Sequence, residues 1–149
     1  DRAPQPFHRT LEGPPPNNLL NYGYTILRAA AARALCAAGL HPAVGLHHRN
    51  RYSGFCLADD LMEPFRPSVD QVVLELVGTN RLSIDKDVKQ ALIGTLTCPV
   101  QIKGEHYALG DALERVASSL AIAIERQVKR KEPVPQAAEA LLLPKLARP

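Results

Sequence analysis

Tryptophan is absent from this chain, and only 5% of its 149 residues are aromatic. A hydrophobic core must therefore be filled with Ala, Leu, Ile and Val. Cysteine is scarce as well: Cys36, Cys56 and Cys98 are odd in number, widely scattered and form no C-x-x-C. That pattern excludes a disulfide framework and a thiolate zinc site. Cys36 and Cys56 fall in predicted helices and read as small buried hydrophobes in a reducing compartment. No apolar run approaches the roughly 18 residues of a membrane span, and no signal-peptide pattern is present, so a cytoplasmic protein with no membrane partner is expected. The formal net charge of +3 is too small by itself to argue for a polyanionic ligand.

Hydrophobic content of 46% and charged content of 22% are ordinary for a globular protein, and the length suits one domain with a genuine core. The distribution of charge says more than its sum. Residues 1–51 hold six Arg against Asp1 and Glu12, whereas the remainder is nearly balanced, with 12 basic and 13 acidic residues. A polyanion would be drawn to the first third of the chain. On charge alone, a solvated arginine-rich face reads equally well.

Pro4, Pro6 and the Pro14-Pro15-Pro16 run make residues 1–16 an extended lead-in. Asn17 or Asn18 can cap a long helix that runs to Ala38 and stops at Gly39. Its apolar positions (Leu19, Leu20, Ile26, Leu27, Ala34, Leu35) approximate one stripe, with Arg28 and Arg33 off it. Tyr22 and Tyr24 are expected to pack, one phenol reaching a polar partner. A second helix begins near Phe55. Pro64 predicts a kink or break, after which the apolar pattern resumes through Val69, Val73 and Leu76 to Gly78. Ser83 is the expected cap of a third helix over about 84–96, with Val88, Leu92 and Ile93 inward. Alternation from Cys98 to Ala108 around Lys103-Gly104 predicts a short surface hairpin. Gly110 to about Lys131 reads as a fourth long helix, with Leu113, Val116, Leu120, Ile122 and Ile124 apolar. The fold class is all-α with one short surface β-hairpin. Residues 17–132 form the helical domain, and 133–149 are a Pro-punctuated tail with room for a short helix at 136–143.

One constellation stands out from this scaffold. His48, in a loop running from Gly39 to Ser53, lies 12 residues before Asp60 and 15 before Glu63. Asp60 and Glu63 are i and i+3, which on a helix share one face. They fall in an otherwise apolar stretch (Phe55, Leu57, Leu61, Met62, Phe65), where a carboxylate is costly unless paired or ligated. A neutral imidazole with hard carboxylate oxygens suits Mg²⁺ or Mn²⁺. Arg49, Arg51 and Arg66 flank the cluster, and a divalent cation ringed by guanidinium groups is suited to phosphates.

The same residues carry a family resemblance. "GLHHRNRYSGFCLADDLMEPFRP", with the upstream "NNLLNYGYTILRAAAARALCAAGLHP", resembles the CRISPR spacer-acquisition integrases, the Cas-one family, over about Phe7 to Arg126. The wording resembles that of the branch found beside single-effector CRISPR systems.

The resemblance implies a helical catalytic domain that joins the 3′-hydroxyl ends of a double-stranded prespacer to the CRISPR repeat by transesterification. It implies Mg²⁺ or Mn²⁺ held by His48 and Glu63, with Asp60 supporting the catalytic set or binding the ion weakly. Arg49, Arg51, Arg66 and His47 would meet DNA, though a structural role suits His47 as well. Asp59 is expected to be an outward acid or a partner for Arg49. Lys86, Lys89, Arg81 and residues 129–131 would either line a DNA path or form solvated helix faces. The family's partner is the small Cas-two protein, which bridges two integrase dimers. The family's first metal-binding glutamate belongs to a helix well upstream of the Asn-Leu-Leu-Asn-Tyr-Gly-Tyr segment, and its dimer is built by an amino-terminal β-domain. Glu12, in a proline-bound loop, does not stand in for that glutamate. The expectation is therefore most of the catalytic domain with part of the active site elsewhere. Two other readings stay open: a catalytically incomplete helical DNA-binding or assembly module, and an unrelated metal-dependent phosphohydrolase.

Overall fold

The computed structural model describes residue 10, residues 13–48 and residues 52–130. Five helices and one hairpin follow in order: α1 (Asn17–Ala37), α2 (Cys56–Met62), α3 (Arg66–Gly78), α4 (Lys86–Gly94), β1 (Pro99–Ile102), β2 (Glu105–Ala108) and α5 (Leu109–Arg130). The architecture is the all-α one expected, with a single antiparallel two-stranded ribbon.

Helix α1 is the central rod, in contact with α2, α3, α4 and α5. Leu19, Gly23, Leu27, Ala31 and Leu35 recur every four residues and are buried, so one stripe of α1 faces the core. The helix ends in a Schellman motif. Gly39 takes a left-handed φ of 77°, its N–H reaches the Cys36 carbonyl at 3.0 Å, and the Leu40 N–H reaches Leu35 at 2.9 Å. Its beginning differs from expectation, because the N-cap position is Pro16 and both asparagines lie inside the first turn. Pro16 precedes the first turn, and the Pro14 and Pro16 carbonyls accept from the N–H groups of Asn17 and Leu20 at 3.0 Å each. Asn17 is itself buried and accepts from the Thr10 N–H at 2.9 Å. Asn18 donates to the Leu82 carbonyl at 3.3 Å, and its Oδ1 accepts from the first-turn Leu19 N–H at 2.8 Å, so it ties a distant segment to the helix start and satisfies one of the start's free donors.

The predicted break at Pro64 is present. Glu63–Phe65 forms a 3-10 turn between α2 and α3, and the buried Met62 and Phe65 anchor it in the core. Helix α4 is shorter than expected. Its cap is Asp85, whose carboxylate accepts from the Val88 N–H at 2.8 Å, and not Ser83. Val88 and Leu92 face inward, but Ile93 is 51% exposed, because it lies about 100° around the helix from Leu92. Lys103 and Gly104 both have positive φ and turn the hairpin, pairing Val100 with Tyr107. Val100 and Ile102 are buried, so one face of the hairpin closes the core. Along α5, Leu113, Val116, Ala117 and Leu120 are buried, whereas Ile122 points outward. Cys56 is buried, but Cys36 is exposed on α1, contrary to the expectation for it. Among the described residues, no helix is long and apolar enough to cross a membrane. The lead-in before Thr10 and the tail from 131 onward lie outside the described residues.

Candidate functional site

The loop after α1 is held hard against the start of α2. The Pro42 carbonyl accepts from the N–H groups of Leu57 and Ala58 at 2.7 and 3.2 Å. A Cβ on Gly45 would stand 2.2 Å from the His48 carbonyl oxygen and 2.7 Å from Cys56 Cβ, so no larger residue fits there without displacing the loop.

Asp60, projecting from α2, organises this loop. One of its oxygens accepts from the N–H groups of Leu46 and His47 at 2.6 and 3.0 Å. The other meets the His48 N–H at 3.2 Å and the His48 ring Nδ1 at 2.6 Å. The Asp60 side chain is only 8% exposed, whereas that of His48 is 45% exposed. Burial pushes the Asp60 carboxyl up, but the hydrogen bonds from His47, the His48 ring, Leu46 and the His48 backbone outweigh it and hold the pKa below the ordinary 3.8. With the carboxylate ionised, Nδ1 is the protonated ring nitrogen, and the lone pair of the neutral ring lies on Nε2. A carboxylate behind a histidine in this way is how metal-binding imidazoles are oriented.

Glu63 belongs to a second group. Its Oε1 pairs with Arg66 Nη2 at 3.0 Å, and its side chain is 45% exposed, so the carboxylate is open to a further partner. The Arg66 guanidinium lies over the Tyr24 ring, 5.0 Å from its centre, and the Tyr24 hydroxyl donates to Asp70. Asp60 and Glu63, close in sequence, thus keep different partners. Among the described residues, no group of three or more His, Cys, Asp or Glu is placed to hold a metal ion. His48 and Glu63 still suit a hard or borderline cation as donors, one by its oriented imidazole and the other by its exposed carboxylate.

Asp59 is not outward: it pairs with Arg28 Nε of α1 at 2.6 Å and is 14% exposed. His47 is exposed. Arg49, Arg51 and Glu12 lie outside the described residues. Lys86 and Lys89 line a shallow groove with Ile84 and Ile93, while Arg81 pairs with Asp87 and Lys129 with Glu125. Sequence reasoning assigned no site role to Arg28, Tyr24 or Asp70. Only Tyr24 carried a signal, as a phenol in need of a polar partner.

Residues 8–97 match the family model described as CRISPR associated protein Cas1. The chain is 38% identical over 125 residues to the CRISPR-associated endonuclease Cas1 of Neisseria meningitidis serogroup C, covering 80% of this chain and 41% of that protein. It is 36% identical over 103 residues to a CRISPR-associated endonuclease Cas1 of Archaeoglobus fulgidus, covering 68% and 29%. Among solved structures, a casposase bound to integration product aligns with a TM-score of 0.61 and 25% identity, over 78% of this chain and 38% of that one. The chain thus spans less than half the length of these relatives. The family match takes in both the Asn-Leu-Leu-Asn-Tyr-Gly-Tyr helix and the loop–helix unit built on Asp60, and the chain belongs to the Cas1 family.

Proposed function

We propose that this chain is the helical catalytic part of a metal-dependent DNA integrase and endonuclease of CRISPR adaptation, acting in the cytoplasm on double-stranded prespacer and repeat DNA. The observation that supports this reading is the 2.6 Å contact between Asp60 and His48 Nδ1, which would leave Nε2 of the half-exposed ring to bind an ion. Family membership and the likeness to a casposase bound to integration product support integration as the chemistry.

In that reaction a prespacer 3′-hydroxyl attacks a repeat phosphodiester, forming one P–O bond as the bond to the repeat's own 3′-oxygen breaks. A Mg²⁺ or Mn²⁺ ion held by His48 and Glu63 would polarise the phosphoryl group and offset charge on the departing oxygen. Asp60 keeps the imidazole in its tautomer and orientation. Arg49, Arg51 and His47 contact the DNA backbone, and no covalent enzyme intermediate is required. The full assembly takes a second copy of the chain and the Cas-two protein as partners.

A second reading has a specific observation in its favour. The described residues hold no three-ligand cluster, which suits a helical DNA-binding module that takes its first glutamate from another segment or chain. Calorimetric Mn²⁺ titration of the chain and of its His48→Ala and Glu63→Ala variants tests the metal assignment. Both variants should bind Mn²⁺ more weakly, and isotherms identical to the parent would overturn it.

A further inference from the structure

Arg66 sits where a phosphate-binding arginine is expected, yet its geometry points inward. Its Nη2 lies 3.0 Å from Glu63 Oε1, and its guanidinium covers the Tyr24 ring at 5.0 Å. Its Nε is buried and has no hydrogen-bond partner among the described residues. The side chain is 33% exposed. One edge of the guanidinium therefore faces the protein, one terminal nitrogen grips Glu63, and its plane rests on an aromatic face.

That aromatic face is itself fixed. The Tyr24 hydroxyl donates to Asp70 Oδ1, which joins α1 to α3 across 46 residues of sequence. A phenol donating to a carboxylate gains electron density in its ring, which strengthens the attraction of a cation above it. Asp70, Tyr24, Arg66 and Glu63 thus form a continuous chain from the α1–α3 packing interface to one of the two proposed metal ligands.

We propose that Tyr24 and Asp70 are positioning residues that act through Arg66 to hold the Glu63 carboxylate ready for its cation. The inference rests on Glu63 being a ligand. Arg66 engages Oε1 and leaves Oε2 for the ion, so a flexible, half-exposed glutamate starts from one orientation instead of many. This is the carboxylate counterpart of what Asp60 does for His48, and the two proposed ligands would be braced by separate networks. Partners of this kind are worth about 10- to 100-fold in metal affinity.

The test is Mn²⁺ titration of the full chain by calorimetry, with thermal unfolding of each variant measured alongside. Arg66→Ala should raise the Mn²⁺ Kd about tenfold, Tyr24→Phe and Asp70→Asn should raise it by less, and Arg66→Lys should restore part of the loss. The same substitutions made on a Glu63→Ala background should change Mn²⁺ affinity no further, because the network acts only through that carboxylate. Tyr24→Phe keeps the ring but loses a charge-assisted hydrogen bond between α1 and α3, so a lower melting temperature is expected with it, and titration well below that temperature separates the Kd shift from unfolding. Unchanged Kd values in Arg66→Ala and Tyr24→Phe, with Glu63→Ala still impaired, would overturn the positioning role alone. Tighter binding in Arg66→Ala would also overturn it, since the guanidinium would then be a competitor for the carboxylate. If Glu63→Ala itself binds Mn²⁺ like the parent, the metal assignment falls and this inference with it.

Discussion

Asp60 and His48 are joined twice, through the backbone N–H of His48 at 3.2 Å and through its ring Nδ1 at 2.6 Å, both to the same carboxylate oxygen. With Leu46 and His47 on the other oxygen, a nearly buried anion replaces water for three consecutive peptide groups. Asp60→Asn keeps the size but loses the charge, and turns an NH₂ toward N–H donors. It should destabilise the fold by about 2–3 kcal/mol in urea titration, the scale of losing charge-assisted hydrogen bonds, and abolish the strand transfer of a protein completed with the upstream glutamate-bearing helix. The acid side follows from the lowered pKa. A depressed folded-state value means that this stabilisation is fully present above the unfolded carboxyl value near 4 and is lost as pH falls through the lower folded value. Wild-type stability should therefore decline below about pH 4 through this group, and the decline should be shallower in Asp60→Asn.

Much of this was legible in the sequence because it depends on local rules. Pro64 breaks a helix wherever it falls, Lys103-Gly104 turns a hairpin, and the spacing of Leu19, Leu27 and Leu35 selects a buried stripe. What escaped depends on contacts between remote segments. Arg28 with Asp59 spans 31 residues and Tyr24 with Asp70 spans 46, and neither partner is specified by its neighbours. The histidine and two carboxylates were visible as a group, but that Asp60 faces the loop while Glu63 faces Arg66 is decided by the 3-10 turn and by Tyr24.

The start of α4 offers a direct comparison of two capping candidates. Asp85 accepts from the Val88 N–H, while Ser83 lies two residues upstream and accepts through its carbonyl from the Asp85 N–H at 2.9 Å. Asp85→Ala should cost about 1 kcal/mol and Ser83→Ala close to nothing. Equal losses in chemical denaturation would return the cap to Ser83.

Gly23 marks a close approach of α1 to α3. A Cβ there would stand 2.4 Å from Val69 Cγ1 and 3.4 Å from Leu92 Cδ2, a clash with a stiff β-branched side chain. Alanine is the better helix former by about 1 kcal/mol, yet overpacking costs about 1–3 kcal/mol, so Gly23→Ala should be net destabilising in thermal unfolding. Adding Val69→Ala should recover part of the loss, and a stabilised single variant would show that the helices separate freely.

If Arg49 and Arg51 contact phosphates, duplex binding should weaken steeply with salt, with a log–log slope of about 0.9 per phosphate neutralised. Arg49→Ala/Arg51→Ala should flatten that slope by nearly two contacts' worth. Arg66→Ala should leave it nearly unchanged, because that guanidinium is engaged with Glu63 and Tyr24. A slope insensitive to Arg49 and Arg51 would make them solvated surface charges.

The proposed cation site has two donors, His48 and Glu63, and the described residues hold no group of three or more His, Cys, Asp or Glu placed for a metal ion. Two ligands cannot fix an ion well enough for in-line attack, since its position sets both the nucleophile and the leaving group. Residues 1–149 by themselves should therefore bind Mn²⁺ weakly and show no strand transfer above background, even with Mn²⁺ and a Cas-two partner present. A chimera carrying the glutamate-bearing helix of a full-length relative ahead of residue 1 should bind the ion more tightly and join a prespacer to repeat DNA. His48→Ala or Glu63→Ala should abolish that gain. Efficient integration by residues 1–149 alone would place the whole catalytic set within them, and Asp60 or Glu12 would then have to serve as the third ligand.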